Sequence, residues 1–539
     1  MRAHICFRCN VEPAYGGYSP TSTTQRTRRR HLMRAVDRGV IANVVGNAWV
    51  ALMALVFSPL YIRYIGIEAY GLIGVFAMLQ VLISVFDLGA GRTITHEAIR
   101  YRSGRRSAQS VRDLQFTFAV AYFSIAIVVS VCLFLAAPWL SRHWLNLGDL
   151  PHADAVLALR LAAVVIGLRW LCGVHRSILI GTPAVVWVNA NAAAFATVRG
   201  VSSVIVAVFV SSSVQAFFVL QLLLTGCELV VMAWRLRSAL PVAPSGARFS
   251  VHSLRPIWRF SAGVTLITAV SVIGSQLDKI ALSQFLPLRD FGYYALASAL
   301  AGSARMFSYP ASQAHLLFAT FIEREQRDGL IAAFHRCSQL VALLLMPPCV
   351  VLCLFADRVM ILWGLDSDAV AAFSPVVSLL VIGTLLNGLM TLPYALQLAQ
   401  GRTRTFLWLN VGILVTYVPL LWIGVQVAGG PGAAAAWALV NLGYVVVGAP
   451  LLLNAIPSPE RWRWVRQDVL VPLAVMVAVA GAIRDLAPEL SSGGEFANAA
   501  CILVLAGVTT LAGAAASTCA GRELITAAIG RFRLLTARR

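Results

Sequence analysis

Lysine is almost missing from this chain: Lys279 is the only one in 539 residues. Charge of any kind is scarce, at 12% of the composition, where a soluble domain carries roughly 25%. That deficit excludes a fold whose whole surface faces water. Catalytic groupings are missing too. The polar segments hold no Ser/His/Asp set, phosphate-binding loop or cluster of metal ligands, so the sequence reads as no enzyme and needs no cofactor. The ten cysteines are scattered, mostly within apolar stretches. Cys6-Phe-Arg-Cys9 lacks the second ligand pair that a zinc site requires. Cys349 and Cys353, one helical turn apart, read as packing residues.

Apolar sequence fills the chain instead, with 59% hydrophobic residues. Stretches of about 20 apolar residues recur, each long enough to cross a hydrocarbon core of about 30 Å as a helix. Open sheet edges cannot face lipid, so the fold class is all-α and polytopic. Fourteen spans are expected, near 40–62, 70–91, 116–138, 154–175, 184–211, 213–234, 257–283, 291–321, 337–356, 370–399, 405–428, 432–454, 468–486 and 497–517. Residues 1–38 are polar and basic, without the apolar core of a secretory signal, and read as a disordered cytoplasmic tail.

The net charge of +20 could suggest a nucleic-acid partner, but its distribution argues against one. With the N-terminus inside, only Arg63, Arg142, Arg289, Arg358 and Arg484 fall on periplasmic segments, while most basic residues fall on cytoplasmic ones. That asymmetry is how a membrane protein sets its orientation.

The chain also repeats. Ile65-Gly-Ile-Glu-Ala-Tyr-Gly71 corresponds to Leu286-Pro-Leu-Arg-Asp-Phe-Gly292, an offset of 221 residues that carries the first six spans onto the next six. Trp187-Val-Asn189 then falls on Trp408-Leu-Asn410, and Gly167-Leu168 on Gly388-Leu389. Each half has an even number of spans, so the halves share one orientation and leave a substrate path between them. The expected divisions are a tail at 1–38, a six-helix lobe at 39–240, a cytoplasmic linker at 241–256, a second six-helix lobe at 257–455, two extra helices at 456–517 and a basic tail at 518–539.

Ionisable residues deep in a span usually face a cavity or a partner. Arg199 and Arg305 lie about 14 residues into their spans, roughly 20 Å from either end, and are the first candidates for the path. Their alternative is a salt bridge between helices. Arg160 and Arg169 share one helix but point to opposite faces; Arg169 has the small neighbours of a cavity wall, and Arg160 is as well placed to anchor at the interface. Lys279 completes the cationic set. Asp278, Glu228 and Asp87 are the candidate protonatable residues. A mutual pair is awkward for the adjacent Asp278 and Lys279, about 100° apart, so one of them is expected to find a partner on another helix. Glu228 suits a pair with Arg235 or a protonatable site, and Asp87 suits a helix end.

Two stretches carry a family resemblance. Ser58-Pro-Leu-Tyr-Ile-Arg-Tyr-Ile-Gly-Ile-Glu-Ala-Tyr-Gly71 followed by Phe86-Asp-Leu-Gly89 resembles the opening hairpin of Wzx-type polysaccharide repeat-unit flippases, and Gln276-Leu-Asp-Lys-Ile-Ala-Leu282 with Phe291-Gly-Tyr-Tyr294 resembles its second copy. These proteins belong to the multidrug/oligosaccharidyl-lipid/polysaccharide exporter superfamily. The resemblance covers residues 40–455. It implies a two-lobed bundle in the bacterial inner membrane that turns over an undecaprenyl-diphosphate-linked oligosaccharide, with membrane lipid, a polysaccharide polymerase and export proteins as its partners. A cationic interior suits a diphosphate, because guanidinium grips phosphate oxygens bidentately. The competing readings are a drug/cation antiporter of the same superfamily, which would want an acidic lining, and a polysaccharide polymerase. The longest periplasmic segment, 139–153, is too short for a polymerase's sugar chemistry.

Overall fold

A computed structural model describes residues 23–87, 108–182, 184–239, 268–308 and 313–486, most of 495–523, and a few isolated positions. The fold is all-α, and among the described residues there is no strand. Among the described residues ten helices are long and apolar enough to cross a membrane, so this is a multi-pass membrane protein. Their outer faces expose large apolar side chains such as Leu135, Phe209, Trp234, Trp408 and Val427, a surface that hydrocarbon solvates and water does not.

In chain order the first half contains α1 (Thr23–Ile65), α2 (Ile67–Ile83), α3 (Ala108–Trp139), α4 (His152–Ile180), α5 (Val185–Phe209) and α6 (Val214–Ala239). The second contains α7 (Leu277–Phe285), α8 (Leu288–Ser303), α9 (Ala314–Glu323), α10 (Arg327–Leu354), α11 (Ser367–Leu389), α12 (Thr391–Ala399) and α13 (Thr403–Gly443). Two further helices, α14 (Val471–Leu486) and α15 (Glu495–Ser517), pack on each other and on α10. The backbone is helical from Thr23, inside the stretch expected to be a tail. The Cys6/Cys9 pair lies outside the described residues, as do most of the linker and of the C-terminal tail.

Several helices depart from the expected spans for local reasons. The eleventh and twelfth are joined into one helix that kinks at Ala428 and Gly429, where Gly429 has φ 56°. A positive φ of this kind costs glycine little and strains other residues. Within the second and eighth spans, α2 and α8 both tighten into a 3₁₀ turn, at Ser84–Asp87 and Ala304–Ser308. Shifted by 221 residues, the first of these turns lands on 305–308, inside the second. The repeat is thus visible in the way the helices break as well as in where they lie.

The two halves meet chiefly through α2 and α8. A Cβ on Gly71 would come within 2.5 Å of the Leu288 carbonyl oxygen, and one on Gly292 within 2.6 Å of the Ile67 oxygen. Those two contacts are each other's counterparts under the same offset, as a two-fold axis between the halves requires. Lipid gives apolar helices little reason to associate, so close backbone approach at small residues supplies the packing. The segment after α3 reinforces this end. Trp144 Nε1 donates to Ser283 Oγ at 3.0 Å, and the Leu288 amide donates to the Asn146 carbonyl at 2.7 Å.

The two extra helices are tied to the second half by a buried polar node that the sequence reading did not find. His335 on α10 hydrogen-bonds Asp468 through Nδ1 at 2.6 Å and Glu460 through Nε2 at 3.0 Å. Gln339 donates to the other Asp468 oxygen at 2.9 Å, and Trp464 donates to Ser338 at 2.6 Å. A polar group left unpaired in an apolar interior costs about 1–3 kcal/mol, so this set specifies how α14 docks.

Candidate functional site

The first half gathers Arg169 and Arg199 between α2, α4, α5 and α6. Arg199 forms an ion pair with Glu228 and donates to Thr225 Oγ1 at 3.3 Å. Glu228 is buried and faces α5, whereas Arg235, its expected partner, reaches Ser238 and the Trp187 ring. The correction is geometric: Arg199 comes to the buried face of α6 across a helix contact, while Arg235 stands two turns further along the same helix. Of the two expectations for Arg199, the helix-to-helix salt bridge describes its geometry.

Arg169 has no acid. It donates to Gln80 Oε1 at 2.8 Å and Gln221 Oε1 at 3.2 Å, and lies over the Phe76 ring at 5.1 Å. Gln221 donates in turn to Ser203 at 3.3 Å. Two neutral amides from two helices thus hold one guanidinium. Arg160 stands apart, stacked on Phe134 of α3 at 4.9 Å with its Nε buried and unpartnered. The opposed facing of Arg160 and Arg169 is as the helix geometry requires. Asp87 closes the 3₁₀ turn that ends the described part of the second span.

In the second half, Asp278 is buried and accepts from Tyr294 Oη at 2.7 Å. Lys279 donates to both Asp278 oxygens, at 3.2 and 3.3 Å, and to the Ser275 carbonyl at 3.4 Å. Asp278 thus finds a partner on another helix in Tyr294, as expected, and the adjacent pair also closes on itself despite the angle. The four-carbon lysine stem is long enough to fold back across the angle between neighbouring residues. Tyr294 was legible only as part of a motif, and nothing in the sequence pointed to it as the ligand of Asp278.

Arg305 is different from all of these. It lies in the 3₁₀ turn after α8, is exposed, and has no hydrogen-bond or ion-pair partner among the described residues. Its side chain lines a cavity of about 390 Å³ walled by residues 268–275, α11, α12 and α13. The other polar lining includes Asn387, Thr391, Asn410, Asn441 and Tyr417, and among the described residues no carboxylate takes part. The expected cationic residues thus do not share one site. Arg169 and Arg199 sit in one half with their terminal nitrogens hydrogen-bonded and the Nε of each buried without a partner among the described residues, whereas Arg305 faces open polar space. Such a site can take an anion with polar groups attached.

Comparison with known proteins follows the same lines. A model of the family described as "Polysaccharide biosynthesis protein" matches residues 62–364. A Shigella flexneri protein described as "Putative O-antigen transporter" is 20% identical over 406 residues, 75% of this chain and 94% of its own length. Among solved structures, the lipid II flippase MurJ in an inward closed conformation superposes with a TM-score of 0.65 at 15% identity, covering 90% of this chain and 99% of its own. An inward-facing multidrug resistance transporter of the MATE family superposes with a TM-score of 0.61 at 13% identity, covering 76% and 98%. The two superpositions show a shared fold.

Proposed function

The chain belongs to the polysaccharide biosynthesis protein family, and we propose that it flips a polyprenyl-diphosphate-linked oligosaccharide, of the undecaprenyl type, across the bacterial inner membrane. The observation that carries this reading is Arg305, a guanidinium with no ion-pair partner among the described residues, in a polar cavity lined by no described carboxylate inside an apolar bundle. Holding such a charge within a membrane costs several kcal/mol by insertion scales, and a diphosphate offsets that cost by accepting two parallel N–H bonds. A cationic drug would find no counter-charge in the cavity, so the antiporter reading is the weaker one. The relative from Shigella, named as an O-antigen transporter, supports the same substrate class.

Transport would proceed by alternating access of the two halves. The orientation expected from the arginine asymmetry puts both hairpins, and with them the α2–α8 contact, at the periplasmic end. The head group then enters from the cytoplasm while Gly71 and Gly292 keep the far side shut. Asp278, held by Tyr294 and Lys279 one turn from the cavity residue Ser275, is the better placed residue for coupling to an ion gradient. Glu228 is already taken up by Arg199.

Deleting the gene and extracting the lipid-linked oligosaccharides tests the reading. Complete repeat units should build up on the cytoplasmic side and clear when the intact chain is restored. Unchanged levels of these intermediates, or accumulation of unpolymerised units already in the periplasm, would reject it.

A further inference from the structure

We propose that the second-half cavity is a subsite for the sugar joined directly to the diphosphate, and that it selects a neutral sugar over an acidic one. The proposal rests on the transport reading above and deepens it.

Three side-chain amides, Asn387, Asn410 and Asn441, share the cavity lining with Arg305. Asn387 makes one hydrogen bond to the scaffold, and Asn410 and Asn441 make two each, the Asn410 Oδ1 accepting from Ser271 Oγ at 3.5 Å. Asn387 Nδ2 donates to Asn441 Oδ1 at 2.8 Å, Asn441 Nδ2 to the Trp437 carbonyl at 2.8 Å, and Asn410 Nδ2 to the Phe406 carbonyl at 2.8 Å. An amide has two donors and an oxygen with two lone pairs, so each keeps both kinds of group for a ligand. Sugar hydroxyls are donors and acceptors at once, and only a lining that offers both can satisfy them. Trp437 supplies a flat apolar face, of the kind that packs against the C–H face of a pyranose ring.

Charge narrows the choice. Arg305 is the one cation in the lining, and it is matched by the diphosphate. A sugar carboxylate would enter a low-dielectric space with no partner left, which is costly. Size narrows it further. At about 390 Å³ the cavity is near the small end of ligand pockets, which run from about 300 to 1,000 Å³. It suits one sugar rather than a repeat unit, whose remaining sugars must extend into the space between the halves.

The counterpart of Asn410 in the first half has a different setting. Asn189, the counterpart of Asn410, makes the same bond to its own helix, at 2.9 Å to the Val185 carbonyl. It is buried against Gly46, whose added Cβ would stand 2.8 Å from the Asn189 Cβ. The same residue is closed off in one half and opens on a cavity in the other.

The test uses the full chain in lipid nanodiscs and three probes: farnesyl diphosphate, its N-acetylglucosamine conjugate and its glucuronic acid conjugate. Native mass spectrometry reads the affinities. The neutral conjugate should bind about tenfold more tightly than the bare diphosphate, the worth of one or two net hydrogen bonds, and the acidic conjugate no more tightly than the bare one. Asn410→Leu should erase the gain while leaving farnesyl diphosphate within twofold, and Arg305→Gln should weaken all three probes. Thr391→Val, which removes one lining hydroxyl with little change of shape, should erase part of the gain and guards against a misfolded Asn410 variant. Equal affinity for all probes in the intact protein, or a parallel loss for every probe in both Asn410→Leu and Thr391→Val, overturns the sugar subsite but leaves diphosphate recognition standing. Failure of every probe to bind overturns both.

Discussion

The two halves share a backbone plan and differ in where their charge is. Every interior charge falls on a counterpart that is neutral: Arg169 on Met390, Arg199 on Leu420, Glu228 on Ala449, Asp278 on Phe57, Lys279 on Ser58 and Arg305 on Ser84. Packing positions behave in the opposite way, with Gly71 and Gly292 making the same contact from both sides. The repeat therefore preserves how helices approach and break, while function is written by substitutions within it. In the first half Arg169 and Arg199 are held by bonds between helices. In the second, Arg305 has no hydrogen-bond or ion-pair partner among the described residues.

The largest expected effect falls on that free cation. Arg305→Gln should reduce glycan export at least 100-fold with the protein still present in the membrane at its normal level. Arg305→Lys, which keeps the charge and loses the planar fork, should retain intermediate activity. Adding Asp278→Asn should not rescue Arg305→Gln, because Asp278 is already paired with Lys279. Rescue in an export assay would make Arg305 a bridge between helices and erase the contrast between the halves.

Next comes the paired cation of the first half. Arg199→Ala strands Glu228 in the bundle, and breaking a buried pair from one side costs about 3–5 kcal/mol, so membrane abundance should fall. Arg199→Leu combined with Glu228→Leu should recover most of it, as read by detergent-resistant folding. Loss of export at full abundance in Arg199→Ala would instead put Arg199 beside the substrate and make the halves alike. The smallest effects belong to the shared contact. Gly71→Ala and Gly292→Ala should each cost about 1–3 kcal/mol by overpacking and should increase labelling of a cysteine placed at the hairpin end. Because the two contacts are symmetric, the two variants should match within about 0.5 kcal/mol; a clear inequality would show that the two-fold relation fails at the interface.

Much of this was legible in the sequence. A membrane demands long apolar runs and one-sided arginines, and a duplicated chain keeps its offset, so span positions and the repeat can be read directly from residue types. Arg305 stood out because an arginine that deep in an apolar run has few reasons to be there. Its surroundings were not legible. Asn387, Asn410 and Asn441 are ordinary residues on separate turns and helices that become one wall only when α11 and α13 pack together. Gln80 and Gln221, which hold Arg169, stand 141 positions apart and carry no charge to draw attention.

Sequence alone determined the class of the molecule, its duplicated plan and its short list of interior charges, because each of these follows from the solvent a segment must face. Only the tertiary structure decided which charges are spent and which is free. Pairing depends on angstrom-scale distances between helices far apart in the chain: Arg199 meets Glu228, Lys279 folds back on Asp278, and Arg305 reaches a cavity with no acid to meet it.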